Sequence, residues 1–283
     1  MNIVHGGRME FAERNNPRGG TFRYKRLVEG ASGTPGNFGL MLSRTYENFV
    51  SPRHRHNFEQ FRFQLDGVSD FGRDGAMAPG TLGYFPEGAF YGPQSASGPA
   101  LVLVLQFGGP SGSGYMSEDD LQRSVAQLSR QGEFRAGVFH RADGQPGRAR
   151  QDAYEAAWEH HNGRVLAYPE PLTPAPVLVA EADRAWRDLA PGVKVKSFGA
   201  FEGGAAASLL RLEPGAAQDL EGPAVAFVVA GAATIAGEAV AEQASLEVES
   251  GAAARTCAET ATTLLLMQLP RIAARGQSAT IAA

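Results

Sequence analysis

The sequence predicts an all-β protein of two barrel-like units joined by a short helical connection. Three observations carry that expectation. Strand-length apolar runs recur along the chain, 35 glycines and 17 prolines punctuate its 283 residues, and three landmarks of the first half return in order in the second.

The first set of runs includes FGLMLSRTY (38–46), QFRFQL (60–65), TLGYF (81–85) and LVLVLQF (101–107). All are rich in aromatic or branched residues and bounded by turn formers, as strands are. A helical interlude follows. Ser117 with Asp120 makes a capping-box-like start for LQRSVAQLSR (121–130), and QDAYEAAWEHH (151–161) reads as a second helix. The Pro-rich YPEPLTPAP (168–176) reads as a linker. The second set includes VKVKSFGAF (193–201), ASLLRLE (207–213), AVAFVVA (224–230), ASLEVE (244–249) and TTLLLMQL (262–269). The expected divisions are therefore a first barrel over 1–112, a helical and linker segment over 113–176, and a second barrel over 177–283.

The two sets align with each other. LDG ending at Gly67 matches VAG ending at Gly231, PEG ending at Gly88 matches ESG ending at Gly251, and Gln106 in LVLVLQF matches Gln268 in TLLLMQL, at offsets of 164, 163 and 162. Near-constant offsets in one order indicate a duplicated unit of domain size.

Composition narrows the function. A net charge of −4 indicates neither a nucleic-acid surface nor an acidic tail. The single cysteine, Cys257, allows no internal disulfide, suits a reducing cytosol and is expected to be an inert buried thiol. No signal-peptide pattern opens the chain, and no apolar run approaches the roughly 20 residues that span a bilayer. A soluble cytoplasmic protein is expected, with a small-molecule substrate and no nucleic-acid or membrane partner.

The chemistry concentrates in HRHNFEQFRFQLDG (54–67). Alternate side chains of a strand share a face, so His54 and His56 point the same way, about 6–7 Å apart, close enough to clasp one metal ion. An unbroken strand adds Gln60, Arg62 and Gln64 to that face and puts Glu59, Phe61, Phe63 and Leu65 on the other. A polar face lining a barrel lumen makes a ligand pocket, and the apolar face then packs outward on another sheet or a second subunit.

This segment resembles the first motif of the cupins: two histidines one residue apart, an acidic ligand four positions later, then a glycine. His54, His56 and Gly67 match, while Gln60 stands at the usual glutamate position. The second cupin motif is matched by Gly80, Pro86 and Gly88, with Tyr91 where its histidine is expected. The resemblance implies two double-stranded β-helix, or jelly-roll, barrels. It also implies a divalent metal in the first, iron foremost with zinc, nickel or manganese as alternatives, held by His54, His56, Gln60 and Tyr91. Tyr91 is either a ligand or a hydrogen-bond donor to substrate or bound water. Arg62 either anchors a substrate carboxylate or enolate or pairs with a neighbouring Glu, and Gln64 joins it in the substrate pocket; Arg62 and Tyr91 are the catalytic candidates. In the second barrel the matching positions are Gln218, Leu220, Ala224 and Ala254, so no metal site is expected there, and that barrel reads as scaffold and dimerisation surface of a homodimer.

Among metal-bearing two-barrel cupins, non-haem dioxygenases are prominent, so an oxygenase acting on a carboxylate- or enol-bearing molecule is the leading expectation. A redox-neutral isomerase, cyclase or lyase using the metal as a Lewis acid is the alternative, and a non-catalytic binding protein a further one. Gln106 is expected to be structural because Gln268 persists in the barrel without a site. His160 and His161 are expected to meet the last carbonyls of their helix.

Overall fold

The computed structural model describes residues 2–15, 18, 20–47 and 49–270, with no side chain described at 15 and 202. The last stretch of the expected second barrel, 271–283, lies outside the described residues. Two seven-stranded antiparallel sheets dominate. The first runs in the order Val177–Ala180, Thr81–Phe85, Glu59–Asp66, Ala100–Phe107, Phe38–Thr45, Thr21–Glu29, Ala12–Asn15. The second runs Asn2–His5, Ala244–Val248, Ala224–Ala230, Thr262–Gln268, Ala206–Leu212, Val193–Ala200, Arg187–Ala190. Every strand in the two expected sets is present to within a residue at either end.

Position by position the two sheets repeat each other. Gln106 stands opposite Gln60 in the first ladder, and Gln268 stands opposite Ala224 in the second. A four-stranded sheet completes each barrel. In the first it is built from Val50–Ser51, Gln94–Ala96, Ser69–Asp70 and Ala76–Met77, and in the second from Ala217–Glu221, Ala253–Ala258, Ala232–Ile235 and Glu238–Ala241.

The outermost strands are exchanged. Val177–Ala180 pairs with Thr81–Phe85 in the first sheet, and Asn2–His5 pairs with Ala244–Val248 in the second. The 1–112 and 177–283 stretches thus trade one strand each. A buried lysine fastens each exchanged strand. Lys25 Nζ donates to Gly6 O at 2.9 Å, just past Asn2–His5, and Lys196 Nζ donates to Glu181 O at 3.1 Å, just past Val177–Ala180. Each shares an aromatic ring with an arginine, Lys25 and Arg44 over Phe11, Lys196 and Arg211 over Trp186.

Period-two alternation places the core. Phe61, Phe63, Leu103 and Leu105 from the first sheet pack with Val225, Phe227, Leu265 and Met267 from the second in one buried cluster. The outward apolar face of the first barrel is thus covered by the other barrel. The second lumen is filled with Leu210, Leu220, Val228, Leu246 and Leu264, which leaves it apolar where the first is polar.

The connection is partly helical. Helix α1 (Glu118–Leu128) starts at Ser117, whose side chain accepts from the Asp120 backbone N–H. Helix α2 (Ala153–Asn162) is capped by Asp152, which accepts from the backbone N–H of Tyr154 and Glu155. Between them lies an unexpected three-stranded sheet, Gly132–Arg135, Val138–Arg141 and Arg150–Asp152. Its strands are three or four residues long and mostly polar, too short to show a period. His160 turns its Nε2 to Gln127 Oε1 at 2.7 Å, and His161 lies 3.9 Å from Asp120. Both therefore face α1 rather than the carbonyls of their own helix. Cys257 is exposed, not buried. It sits on Ala253–Ala258, where Ala254, Thr256 and Ala258 take the inner face. Among the described residues no helix is long and apolar enough to cross a membrane.

Candidate functional site in the first barrel

The inner face of Glu59–Asp66 carries Gln60, Arg62 and Gln64, as alternation requires, and all three are buried. The histidines do not share that strand. His54 forms an isolated bridge with Tyr91, their backbones exchanging N–H···O bonds of 3.1 and 2.9 Å, and His56 lies in the irregular segment just before Glu59. Folding nevertheless brings the two imidazoles together, with ring centroids 4.8 Å apart and planes at 86°.

Arg62 organises the polar groups. Its Nε donates to Gln60 Oε1 at 2.9 Å, its Nη1 to Gln94 Oε1 at 2.8 Å and its Nη2 to Tyr91 Oη at 2.8 Å. The rings of Phe85 and Tyr91 lie 4.5 and 5.1 Å from the guanidinium. No carboxylate pairs with it among the described residues, so the expected choice between a Glu partner and a ligand falls away from Glu. Burial draws the Arg62 pKa below its ordinary value, and Tyr91 opposes that fall.

These bonds fix a direction for each proton. Guanidinium only donates, so Gln60 must present its oxygen to Arg62 and its amide to Tyr91, where Nε2 lies 3.4 Å from Oη. With both lone pairs of Tyr91 engaged, its proton goes to His56 Nε2 at 2.8 Å, and His56 carries its own hydrogen on Nδ1. That Nδ1 is buried without a partner among the described residues. His54 is set the other way: Nδ1 donates to Pro52 O at 2.6 Å, which leaves the Nε2 lone pair exposed to a ligand. Both imidazoles are held neutral, their pKa values pushed well below the ordinary range. Burial is the main cause, reinforced by Arg18 and Arg62 and, for His56, by His54.

His54, His56 and Arg62 line a cavity of about 120 Å³. Gln60, Tyr91 and Gln64 do not line it: Gln60 and Tyr91 reach it only through their bonds to Arg62 and His56, and the Gln64 amide donates to Asp66 O at 2.7 Å. Sequence reasoning missed other members. Gln94 lies on Gln94–Ala96 of the four-stranded sheet, Arg18 in the N-terminal segment and Tyr154 on α2, and all three come from stretches outside the histidine motif. Only Gln94 left a trace, three residues beyond Tyr91 in YGPQ. Arg18 is paired with Asp152 at 2.9 Å, and Tyr154 donates to Asn57 Oδ1 at 2.8 Å, so the helical segment is bonded across the mouth of the barrel.

Among the described residues no three His, Cys, Asp or Glu side chains gather as a metal-binding group. The donor set is two neutral imidazoles with the oxygens of Gln60 and Tyr91, both oxygens already accepting from Arg62. It fits a divalent ion at His54 Nε2 directly. His56 Nε2 would be a second nitrogen donor only with its hydrogen bond from Tyr91 broken.

No family model matches the chain, and no curated protein matches its sequence. Solved structures do match in shape. One is a candidate dioxygenase from Nostoc punctiforme, 11% identical with a TM-score of 0.62, covering 94% of this chain and 81% of its own. Another is a candidate glyoxylate-induced protein from Pseudomonas aeruginosa, 14% identical with a TM-score of 0.61, covering 98% and 91%. A variant of Bacillus subtilis oxalate decarboxylase is 14% identical with a TM-score of 0.56, covering 96% and 78%. The chain has the two-barrel cupin fold. Identities this low speak to fold alone.

Within that fold the ladder refines the match between the barrels. Leu220 stands opposite Ala254 as His54 stands opposite Tyr91, so His54 corresponds to Leu220 rather than to Gln218. Arg62 stands opposite Val104 as Ala226 stands opposite Leu266, so the buried cation of the first barrel has an alanine as its twin.

Proposed function

We propose that the first barrel is the active site of a divalent-metal-dependent enzyme acting on a small carboxylate- or enol-bearing molecule, of the non-haem dioxygenase type, with iron as the first metal to test. The observation that carries this reading is the pairing of two neutral, convergent imidazoles with a buried guanidinium that has no carboxylate of its own among the described residues. His54 and His56 would hold the ion, with Gln60 and Tyr91 as oxygen donors beside them. Bound there, a metal supplies Lewis acidity and, if iron, a centre for oxygen chemistry.

The chain's own groups do the rest. Arg62 receives the negative charge of the substrate in a buried setting where that attraction is strong. Tyr91 holds a proton on the line between Arg62 and His56 and is placed to exchange it with a ligand. Phe58, Tyr115 and Tyr154 wall the cavity and keep bulk water from it.

One observation favours a redox-neutral isomerase, cyclase or lyase as the second reading. The donor set contains no carboxylate, which leaves a bound ion more electropositive and better at polarising a carbonyl. Elemental analysis of protein purified without chelators tests the common core, with one metal per chain expected and loss of that metal in His54→Ala and His56→Ala. A metal-free protein that no divalent ion stabilises would leave only non-catalytic binding. Oxygen uptake by the iron-loaded protein with small carboxylates separates the two enzyme readings.

A further inference from the structure

We propose that the carboxylate ligand of the first barrel carries a second oxygen function, a hydroxyl or carbonyl, received by Ser51 and Thr45. This rests on the barrel being an anion site and adds the substrate's second polar group.

Three arginines and the Glu118 carboxylate line the cavity. Arg14 is paired with Glu118 at 2.6 Å and Arg18 with Asp152 at 2.9 Å, whereas Arg62 has no such partner among the described residues. One positive charge is left for one carboxylate. Beside it stand two hydroxyls that the fold leaves unsatisfied. Ser51 and Thr45 are 2% and 3% exposed, and both oxygens lack a hydrogen-bond partner among the described residues. Both side chains line the cavity that His54 and Arg62 line.

Their placement sets the spacing. Ser51 stands opposite Gln94 in the ladder, and Gln94 is the residue that accepts from Arg62 Nη1. Ser51 is therefore one ladder step, about 5 Å, from the group that orients the guanidinium. Met41, Val102 and Val104 supply apolar wall between the polar groups, suited to a short carbon skeleton. At about 120 Å³ the cavity is small, so short-chain acids are the class to test. A buried hydroxyl without a partner is costly, and an oxygen on that skeleton satisfies it where a methyl group does not.

The test compares 3-hydroxybutyrate with butyrate by calorimetric titration of the protein as purified. The hydroxy acid is expected to bind about tenfold more tightly, the value of one well-made buried hydrogen bond. That ratio should fall to about one in the double variant Ser51→Ala, Thr45→Val. Equal binding of the two acids to the unaltered protein overturns the proposal, and needs no variant to fold. Arg62→Gln tells this failure from failure of the anion site. Loss of both acids there supports the site, while undiminished binding of both, or binding of neither acid to the unaltered protein, overturns the anion reading and the proposal with it.

Discussion

Tyr91 Oη lies 2.8 Å from Nη2 of Arg62 and 2.8 Å from Nε2 of His56. The phenol therefore accepts from a group that can only donate and passes its own proton to the imidazole. Phenylalanine at this position would strand an N–H of Arg62 in a buried setting and free the His56 Nε2 lone pair. Tyr91→Phe is expected to lower stability by about 1–3 kcal/mol in denaturant unfolding. It should also release His56 to mix its two neutral tautomers, visible in the ring nitrogen shifts. A His56 spectrum identical to that of the parent would show that Tyr91 does not set the tautomer.

The neutral histidines predict an acid-sensitive fold. Both have folded pKa values depressed well below 6.5, chiefly by burial. The unfolded chain then binds protons that the folded chain refuses, so stability is full above about 6.5 and is lost as pH falls toward the folded values. Over the first pH unit below about 6.5 each histidine contributes a loss of about 1 kcal/mol. Thermal unfolding across that interval should show a slope that flattens in the double variant His54→Gln, His56→Gln. An equal slope in parent and variant would mean that other groups carry the acid response.

Alternation along a strand made part of this site legible. Gln60 and Arg62 face the lumen and Phe61 and Phe63 the opposite sheet, as parity demands. Parity assigns a face but not a partner, which is why Arg62's hold on Gln60, Gln94 and Tyr91 could not be read from the motif. Ser51, Arg18 and Tyr154 escaped notice because they reach the cavity from a two-residue strand, an N-terminal turn and a helix far along the chain. The strand exchange escaped for a similar reason. NIVH and VLVA are four residues each, and nothing local says which of two near-identical edges each will join.

The lysines that secure those edges differ in what they hold. Lys25 Nζ donates to Gly6 O and to Gln243 Oε1, whereas Lys196 Nζ donates to Glu181 O and pairs with the Glu181 carboxylate at 3.0 Å. Replacing either by methionine keeps the aromatic packing and strands a backbone carbonyl. Lys25→Met and Lys196→Met are each expected to cost about 1–2 kcal/mol. In hydrogen exchange the loss should appear first as faster exchange in the exchanged strand beyond each lysine, Asn2–His5 for one and Val177–Ala180 for the other. Uniform acceleration across both sheets would argue that the lysines act on global stability alone.

The repeated glycines give the sharpest test of the duplication. Gly67 has φ +66°, and a Cβ there would lie 2.2 Å from Pro99 O and 2.8 Å from Ala100 Cα. Gly231 has φ +88°, and its Cβ would lie 2.3 Å from Ala261 O and 2.8 Å from Thr262 Cα. In each barrel the obstacle is backbone at the start of the central strand, Ala100–Phe107 or Thr262–Gln268, so it cannot swing aside as a side chain would. Gly33 shares the left-handed backbone, with φ +77°, but a Cβ there meets nothing within 4 Å. Gly67→Ala and Gly231→Ala are therefore expected to lose about 2–4 kcal/mol, against about 1 kcal/mol for Gly33→Ala, where only the backbone conformation resists. Calorimetric unfolding of the three variants measures the difference. Losses no larger than that of Gly33→Ala would mean that the two central strands can shift away from the turn, and that the matched glycines reflect turn geometry without the close approach.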